Sequence, residues 1–467
     1  MTTAEISLSS YGYHRNLESD EYFFRALWFI DFFIDLSFKR HIILKMIDLK
    51  ILRDNPERMQ DALTKRGDKT DLKAIMDLDK RRRAMITELQ DLNRKRNELA
   101  ETIGKLKKQG KEPSDLMTEA RMVAERIKGI EKEQKDIEEK FGLAVQWLPN
   151  IPHESVPVGK DKEANKFIRG LKEVPKFDYQ VLPHWEIGEA LDILDLKRAP
   201  KISGSRFALY KGLGANLERA LINFFLDVHV NQHGYIEIFP PVLNPTSCMY
   251  GTGQLPKLEA DSYKCRDDDL YLAPTAEVPL TNIHREEIIP EKNLPICYVG
   301  YSPCFRREAG SYGKDVRGIK RIHQFNKVEL VKYTTVETGY EEFEKLLSDA
   351  EEIVKLLQLP YRIMLLCTGD MTFASAKTYD IEVYAPSMAE WLEVSSVSIY
   401  DQYQSRRASI RYRKAGGGVD YVYTMNGSGL ATPRIFIAIL ENFQTKDGRI
   451  KIPKVLQPYM HNLEYIE

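Results

Sequence analysis

Cysteine is scarce in this 467-residue chain: Cys248, Cys265, Cys297, Cys304 and Cys367 are the five, all in the C-terminal half and none in a Cys-x-x-Cys pair. An odd, scattered set argues against a disulfide framework or a structural zinc site and favours a reducing, cytoplasmic compartment. An excess of one charge is missing too, since 68 Lys and Arg stand against 69 Asp and Glu. Any signal for a polyanionic partner must therefore be local. Uninterrupted apolar runs of membrane-spanning length are absent. The densest stretch, Tyr22 to Phe38, carries Arg25, Asp31 and Asp35 and is shorter than the ~20 residues a membrane helix needs, so no membrane association is expected. A secretory signal is not expected either, because Glu5, Glu18, Asp20 and Glu21 precede that stretch where a basic region would be required.

What is present describes a globular protein of two or three domains, with 43% hydrophobic and 29% charged residues. Residues 1–45 read unlike the rest, and Met46 is expected to begin the functional protein, the extension having no chemical role. His229 and His233 are four apart, but Val230 stands where a metalloprotease helix places its glutamate, so they are read as structural.

After Met46, Asn55-Pro56 predicts an N-cap and first helical residue, with a short helix running to about Gly67. Then Leu78, Arg82, Met85, Leu89, Leu92, Arg96, Leu99, Ile103 and Leu106 follow one another at spacings of four and three. That is the seam of a coiled coil. Gly110 and Pro113 break it, and Leu116, Ala120, Val123, Ile127, Ile130, Gln134, Ile137 and Phe141 resume it. Two long helices with a short connection must lie antiparallel, and a helix of roughly 55 Å exceeds what a compact domain covers, so the hairpin is expected to project. Between Lys80 and Lys111 eleven basic residues face four acidic ones. Arg82, Arg83, Arg94, Lys95, Lys105, Lys107 and Lys108 are the candidate contacts to a phosphate backbone, although a solvated coiled-coil face carries such charges as well.

A linker at Leu148 to His153 separates residues 46–153 from a second domain, 154–467, of mixed strands and helices. There Gly234 to Pro241 reads as an edge or interface strand ending in two prolines, and Thr275-Ala276-Glu277 as a loop after Leu270-Tyr271-Leu272. A charged loop opens at Cys304-Phe305-Arg306-Arg307-Glu308 and closes at Arg321-Ile322-His323-Gln324-Phe325. An arginine for a phosphate, an acid for an adenine amino group and a ring to stack on the base make a nucleotide site without a Gly-rich P-loop. Glu329 sits among apolar neighbours in a strand, where a carboxylate needs a partner that a ligand could supply. Trp391-Leu392-Glu393-Val394-Ser395-Ser396 alternates like a strand and offers Glu393 and Ser396 as oxygen ligands for magnesium. Asn426-Gly427-Ser428-Gly429-Leu430-Ala431-Thr432-Pro433-Arg434 leads into an apolar helix and puts Arg434 near its start. Gly416-Gly417-Gly418 is read as a turn, since no helix start follows.

In these motifs, taken in order from Met46 to Glu467, the chain resembles the bacterial-type seryl-tRNA synthetases, a family of class II aminoacyl-tRNA synthetases. Motif 1 corresponds to Gly234–Leu243 with Pro241, motif 2 to Phe305–Glu329 and motif 3 to Gly427–Arg434. The resemblance implies an α+β fold, an antiparallel sheet flanked by helices with an N-terminal antiparallel coiled-coil arm that grips tRNA. It implies that serine is activated with ATP to seryl-adenylate and pyrophosphate, and that the seryl group passes to tRNA(Ser), a tRNA(Sec) being left open as a second acceptor. Thr275, Ala276 and Glu277 would receive the ammonium of serine, and Glu329 with Ser428 its side chain. Arg306 would hold the α-phosphate and Arg434 the γ-phosphate, as the two catalytic cations, while Glu308 and Phe325 take the adenine. Arg307, Ile322, Glu393, Val394, Ser395 and Ser396 would complete the ATP site, with Glu393 and Ser396 on Mg²⁺. A homodimer in which motif 1 lies at the two-fold interface is implied as well. Arg307, Val397 and Ile399 depart from residues common in the family. Two other readings are a paralogue that loads a carrier protein, against which the basic hairpin argues, and a non-catalytic RNA-binding protein, against which Arg306, Glu393 and Arg434 argue.

Overall fold

The computed structural model describes residues 48–171, 174–309 and 317–467; the expectations for residues 1–45 and Met46, and part of the motif 2 loop, lie outside the described residues. Helix α1 (Leu49–Asp54) is followed by α2 (Pro56–Arg66), which starts as its sequence requires: the Asn55 side chain accepts from the Arg58 amide, Pro56 occupies the first turn, and Gly67 ends the helix at φ +64°. Helices α3 (Leu72–Lys108) and α4 (Ser114–Val145) form the expected hairpin. Toward its tip Leu99, Val123 and Ile127 bury against Leu89, Leu92, Leu116 and Ala120. Two exposed pairs cross the seam, Arg126 to Glu88 and Lys95 to Glu119, each at 2.7 Å.

The root of the arm is not an independent core. Met59, Leu63, Leu72, Ile75, Phe141, Val145 and Leu148 pack in one cluster with Ala374, Tyr400 and Tyr403 of the second domain. Arg66, buried there, donates to the carbonyls of Asn150 (2.9 Å), Thr372 (3.1 Å) and Ser375 (2.5 Å), satisfying three carbonyls that would otherwise be stranded.

The second domain is built on eight strands: β1 (Lys166–Gly170), β2 (Ile236–Ile238), β3 (Ile296–Phe305), β4 (Gln324–Thr334), β5 (Tyr361–Leu365), β6 (Lys377–Ala385), β7 (Glu390–Ile399) and β8 (Tyr423–Ala431). Their order is β1-β5-β6-β7-β8-β4-β3-β2, antiparallel throughout except for the parallel β2–β3 edge. This is the α+β architecture expected. Helix α5 (Leu213–Asn231) and the later helices α8 (Gly339–Leu356) and α10 (Thr432–Asn442) cover the sheet with apolar faces, enclosing the main core. Between them lie α6 (Thr246–Thr252), α7 (Glu277–Thr281) and α9 (Tyr403–Ala408), short helices around the sheet's open cleft. The motif 1 strand β2 is an edge, and Ile236 and Phe239 are 58% and 84% exposed. No described helix is long and apolar enough to cross a membrane.

His229 and His233 hydrogen-bond each other through their Nδ1 atoms at 3.0 Å rather than forming part of a metal cluster, none of which occurs among the described residues. Burial lowers the His229 pKa to about 3, so the ring is a neutral packing group. It lies under motif 3, where a Cβ on Gly429 would come within 2.9 Å of its Nε2. Gly417 and Gly418 turn a small hairpin at φ +90° and +88°, in keeping with the reading of that run as a turn.

Candidate active site

Strands β3, β4, β6, β7 and β8 present one face to an open cleft of about 860 Å³, lined by Thr275, Glu277, Arg306, Glu308, Ile322, Phe325, Glu329, Glu393, Val394, Ser396, Ser428 and Arg434. That size suits a nucleotide with a small second substrate. Residues scattered over 160 positions of sequence thus meet at one place.

One end of the cleft is carboxylate-rich and buried. Glu329, with no solvent exposure, is held by Lys327 Nζ at 2.5 Å, by the Thr275 hydroxyl at 3.2 Å and by Asn426 Nδ2 at 2.7 Å. The partner that a ligand could have supplied comes from the protein itself: it supplies three, and the carboxylate is fixed before anything binds. Lys327 and Glu329 are two apart on one strand and so share a face, a signal that alternation in the sequence offered. Thr275 and Ala276 form the expected loop, but Glu277 already begins helix α7. The Glu277 carboxylate accepts from Gln404 Nε2 at 2.6 Å. Burial, reinforced by the negative charge of Glu329, pushes its pKa up to about 7.

At the other end, Arg306 Nε donates to the Pro274 carbonyl at 3.2 Å and its guanidinium lies 5.4 Å from the Phe325 ring centroid. Cation and aromatic face are thus already paired across the strand ends. Glu308 is drawn to Arg321 at 3.4 Å and Arg206 at 3.9 Å. Arg434 leaves the start of α10 and reaches strand β7, donating to the Glu393 carbonyl at 2.5 Å and pairing with its carboxylate at 3.3 Å.

Glu393 and Ser396 are three apart, which in a regular strand would put them on opposite faces. A bulge between Glu393 and Ser395, opposite Glu382 and Ile381, resets the alternation so that both line the cleft. Ser395 is turned inward by the same bulge and donates to the Ser428 carbonyl at 2.6 Å. Its hydroxyl is thus engaged within the sheet. The Arg307 guanidinium lies against Tyr263 at 5.8 Å outside the cleft lining, and Ala276, fully buried, contributes no side chain to it. Asp380 and Glu382 on β6 face Ser396 and Glu393 across the ladder. Burial and the charge of Glu393 raise the Asp380 pKa, and its Oδ1 is buried without a hydrogen-bond partner. Lys327, Asp380, Tyr400, Gln404 and Asn426 were all missed by sequence reasoning. Only Lys327, two from Glu329 on its strand, and Asn426, with the small residues that follow it, had a local signal.

On the arm, Arg83, Arg94, Lys95, Lys105, Lys107 and Lys108 are exposed. Arg82 is not: it is 7% exposed, pairs with Asp79 at 3.3 Å and lies over the Phe141 ring at 5.2 Å. Its expected role at a phosphate is corrected to an internal one, because a seam position at the root faces the partner helix. Arg96, also a seam position, is exposed.

Comparison with known proteins agrees with this geometry. Residues 46–152 match the family described as seryl-tRNA synthetase N-terminal domain, and residues 263–443 match tRNA synthetase class II core domain (G, H, P, S and T). A serine–tRNA ligase of Caldicellulosiruptor bescii is 54% identical over 415 residues, covering 89% of this chain and 99% of that protein. A serine–tRNA ligase of Thermodesulfovibrio yellowstonii is 52% identical over 419 residues, with 89% and 99% covered. Among solved structures, seryl-tRNA synthetase from Pyrococcus horikoshii complexed with ATP superposes with a TM-score of 0.85 at 38% identity, covering 90% of this chain and 99% of that one. With both domains matched and the cleft lined by residues of motifs 2 and 3, the chain belongs to the seryl-tRNA synthetases, the serine–tRNA ligases of class II.

Proposed function

We propose that the cleft carries out both half-reactions of a serine–tRNA ligase with the following division of roles. A carboxylate oxygen of serine attacks the α-phosphorus of ATP, the bond to the β-phosphate breaks, and pyrophosphate leaves. The terminal ribose hydroxyl of tRNA(Ser) then attacks the acyl carbon of seryl-adenylate, and AMP leaves. No protein nucleophile is needed, so the work is positioning and stabilisation of charge. The observation that carries the reading is the joining, in one cleft, of the fixed acids Glu277 and Glu329 to the cations Arg306 and Arg434.

Glu329, with Ser428 beside it, takes the serine hydroxyl on the acceptor capacity that its three protein donors leave, and alanine is disfavoured because it forgoes that hydrogen bond; threonine is excluded by size. Glu277 and Thr275 take the ammonium. Arg306 neutralises the α-phosphate, Phe325 and Ile322 hold the adenine, Glu308 receives its amino group, and Arg434 exchanges Glu393 for the γ-phosphate. The carboxylate and hydroxyl oxygens of Glu393 and Ser396, backed by the unpartnered Asp380 Oδ1, fit a hard cation such as Mg²⁺. When bound, that ion neutralises phosphate charge and holds the polyphosphate in line. The exposed apolar edge at Ile236 and Phe239 supports a homodimer, to be checked by the mass in solution. Domains 46–153 and 154–467 divide tRNA binding from chemistry, in a cytoplasmic protein. Charging of a tRNA(Sec) is tested by offering that tRNA alongside tRNA(Ser).

The test is ATP–pyrophosphate exchange with serine, alanine and threonine in parallel, followed by transfer of labelled serine to tRNA. Serine-dependent exchange with transfer is expected. Exchange without transfer would favour loading of a carrier protein, and no exchange a non-catalytic fold.

A pH dependence follows from Glu277. Its folded pKa is raised to about 7, so the free protein is increasingly protonated there below that pH, and protonation must be reversed before an ammonium can pair with it. Serine affinity is expected to level off near pH 8 and to weaken as pH falls through 7, by roughly tenfold between pH 8 and pH 6. Titration calorimetry at several pH values checks this, and Glu277→Gln should bind weakly with the slope removed.

A further inference from the structure

Helix α9 is six residues long, yet its side chains reach three regions. Gln404, 1% exposed, donates through Nε2 to Glu277 Oε1 at 2.6 Å and to the Thr252 carbonyl at 3.1 Å, while its Oε1 accepts from the Thr424 hydroxyl at 2.8 Å. The Thr252 carbonyl, which can only accept, fixes which way the amide faces, with its NH₂ toward the acid, and the Thr424 hydroxyl then donates to the oxygen end. On the other side of the helix, the Tyr403 hydroxyl donates to the Leu148 carbonyl at 3.0 Å. Arg407, 1% exposed, donates to the same Tyr403 oxygen at 2.6 Å, to the Gln146 carbonyl at 3.2 Å and to the carbonyls of Tyr250 and Leu255 at 3.3 Å each. Arg406 reaches Asp48 beside α1 at 2.8 Å. Gln146 and Leu148 are where α4 leaves the arm, so the arm's root and the amino-acid end of the cleft hang on the same short helix.

We infer that Gln404 is a positioning residue for recognition of serine, aiming the Glu277 carboxylate, and that Tyr403 and Arg407 hold Gln404 in place by tying α9 to the root of the arm. Glu277 has Glu329 as a neighbour, and without a donor from its own side a buried acid there would turn away or stay protonated. Residues 403 and 407 are one turn apart and share a face, whereas 404 is about 100° round the helix, so anchoring the first face sets the direction of the second. The root contacts are to carbonyls that cannot move without moving α4. A change at the root would therefore be felt at Glu277.

The inference rests on the ligase reading of the cleft and is tested with the full chain in ATP–pyrophosphate exchange, varying serine and ATP separately. Gln404→Met keeps length and removes the donors; it is expected to raise the serine KM by about tenfold or more while the ATP KM and kcat stay within about twofold. Arg407→Lys keeps the charge but not the forked donor set, and is expected to raise the serine KM selectively by a few-fold. Thr424→Val, which leaves the buried Gln404 Oε1 without its donor and so loosens the amide, should do the same and serves if Gln404→Met does not fold. An unchanged serine KM in folded Gln404→Met or Thr424→Val, or an equal rise for ATP, overturns the role of Gln404. An unchanged serine KM in Arg407→Lys overturns the anchoring. Failure of the unsubstituted chain to exchange with serine would overturn the ligase reading itself.

Discussion

Arg306→Ala is expected to slow serine-dependent pyrophosphate exchange by roughly 10³-fold while serine affinity changes by less than about twofold. The guanidinium stands at the end of β3, propped by the Pro274 carbonyl and the Phe325 face, and so is placed before ATP arrives. Negative charge grows on the α-phosphate oxygens only as serine's carboxylate attacks, and a fixed cation that meets it there acts on the transition state more than on the bound ground state. In the proposed arrangement the ammonium and side chain of serine are held by Thr275, Glu277 and Glu329 rather than by Arg306, so most of its binding is kept. Single-turnover adenylate formation, with equilibrium binding of serine measured on the same variant, separates the two. An equal loss in both would mean that Arg306 organises the whole cleft, and unchanged exchange would remove it from the chemistry. Arg306→Lys should recover only part of the rate, since an ammonium cannot reproduce the planar fork that Pro274 and Phe325 hold in place.

The parts of this molecule legible from sequence are those written in local period or in residue type. The four-three spacing gave both helices of the arm, and Asn55, Pro56 and Gly67 gave the ends of α2. Residue type marked Glu329, a charged group in an apolar run, while Arg306, Glu393 and Arg434 stood out through the motifs around them. What resisted was everything fixed by the third dimension. Glu393 and Ser396 share a face only because of a bulge, and the same bulge removed Ser395 from the cleft, an effect with no local signature. Asn426 became visible as a partner of Glu329 only when β4 and β8 were seen side by side, whereas Lys327 shares a strand face with it. Arg82 and Arg96 occupy equivalent seam positions yet differ in exposure, since the root of the hairpin is walled by Phe141 and the outer part has only two helices to enclose its seam. A heptad tells which way a residue points, and the surroundings decide whether water reaches it.

Neutralising the arm is expected to abolish transfer without touching activation. Arg94, Lys95, Lys105, Lys107 and Lys108 are exposed on α3, and three of them rest on acids of the arm itself: Arg94 on Asp91 at 2.9 Å, and Lys95 on Glu119 and Lys105 on Glu101 at 2.7 Å each. Exposed pairs of this kind contribute little to stability, so their cations are available to phosphates, and replacing them by glutamine should leave the fold and the melting temperature nearly unchanged. Each phosphate contact removed takes with it the release of about one counterion, so the slope of log K against log salt for tRNA should flatten by up to about four. The kcat/KM for tRNA at physiological salt should fall by about 10² or more, while serine-dependent exchange, confined to the cleft, is unaltered. Arg82→Gln provides the contrast on the same rod. Its guanidinium is shut against Asp79 and Phe141, so its loss should lower the melting temperature and leave the salt slope as it was. If the five-fold glutamine variant kept the full salt slope and normal transfer, the basic face would be no more than a solvated coiled-coil surface, and tRNA would have to be gripped elsewhere.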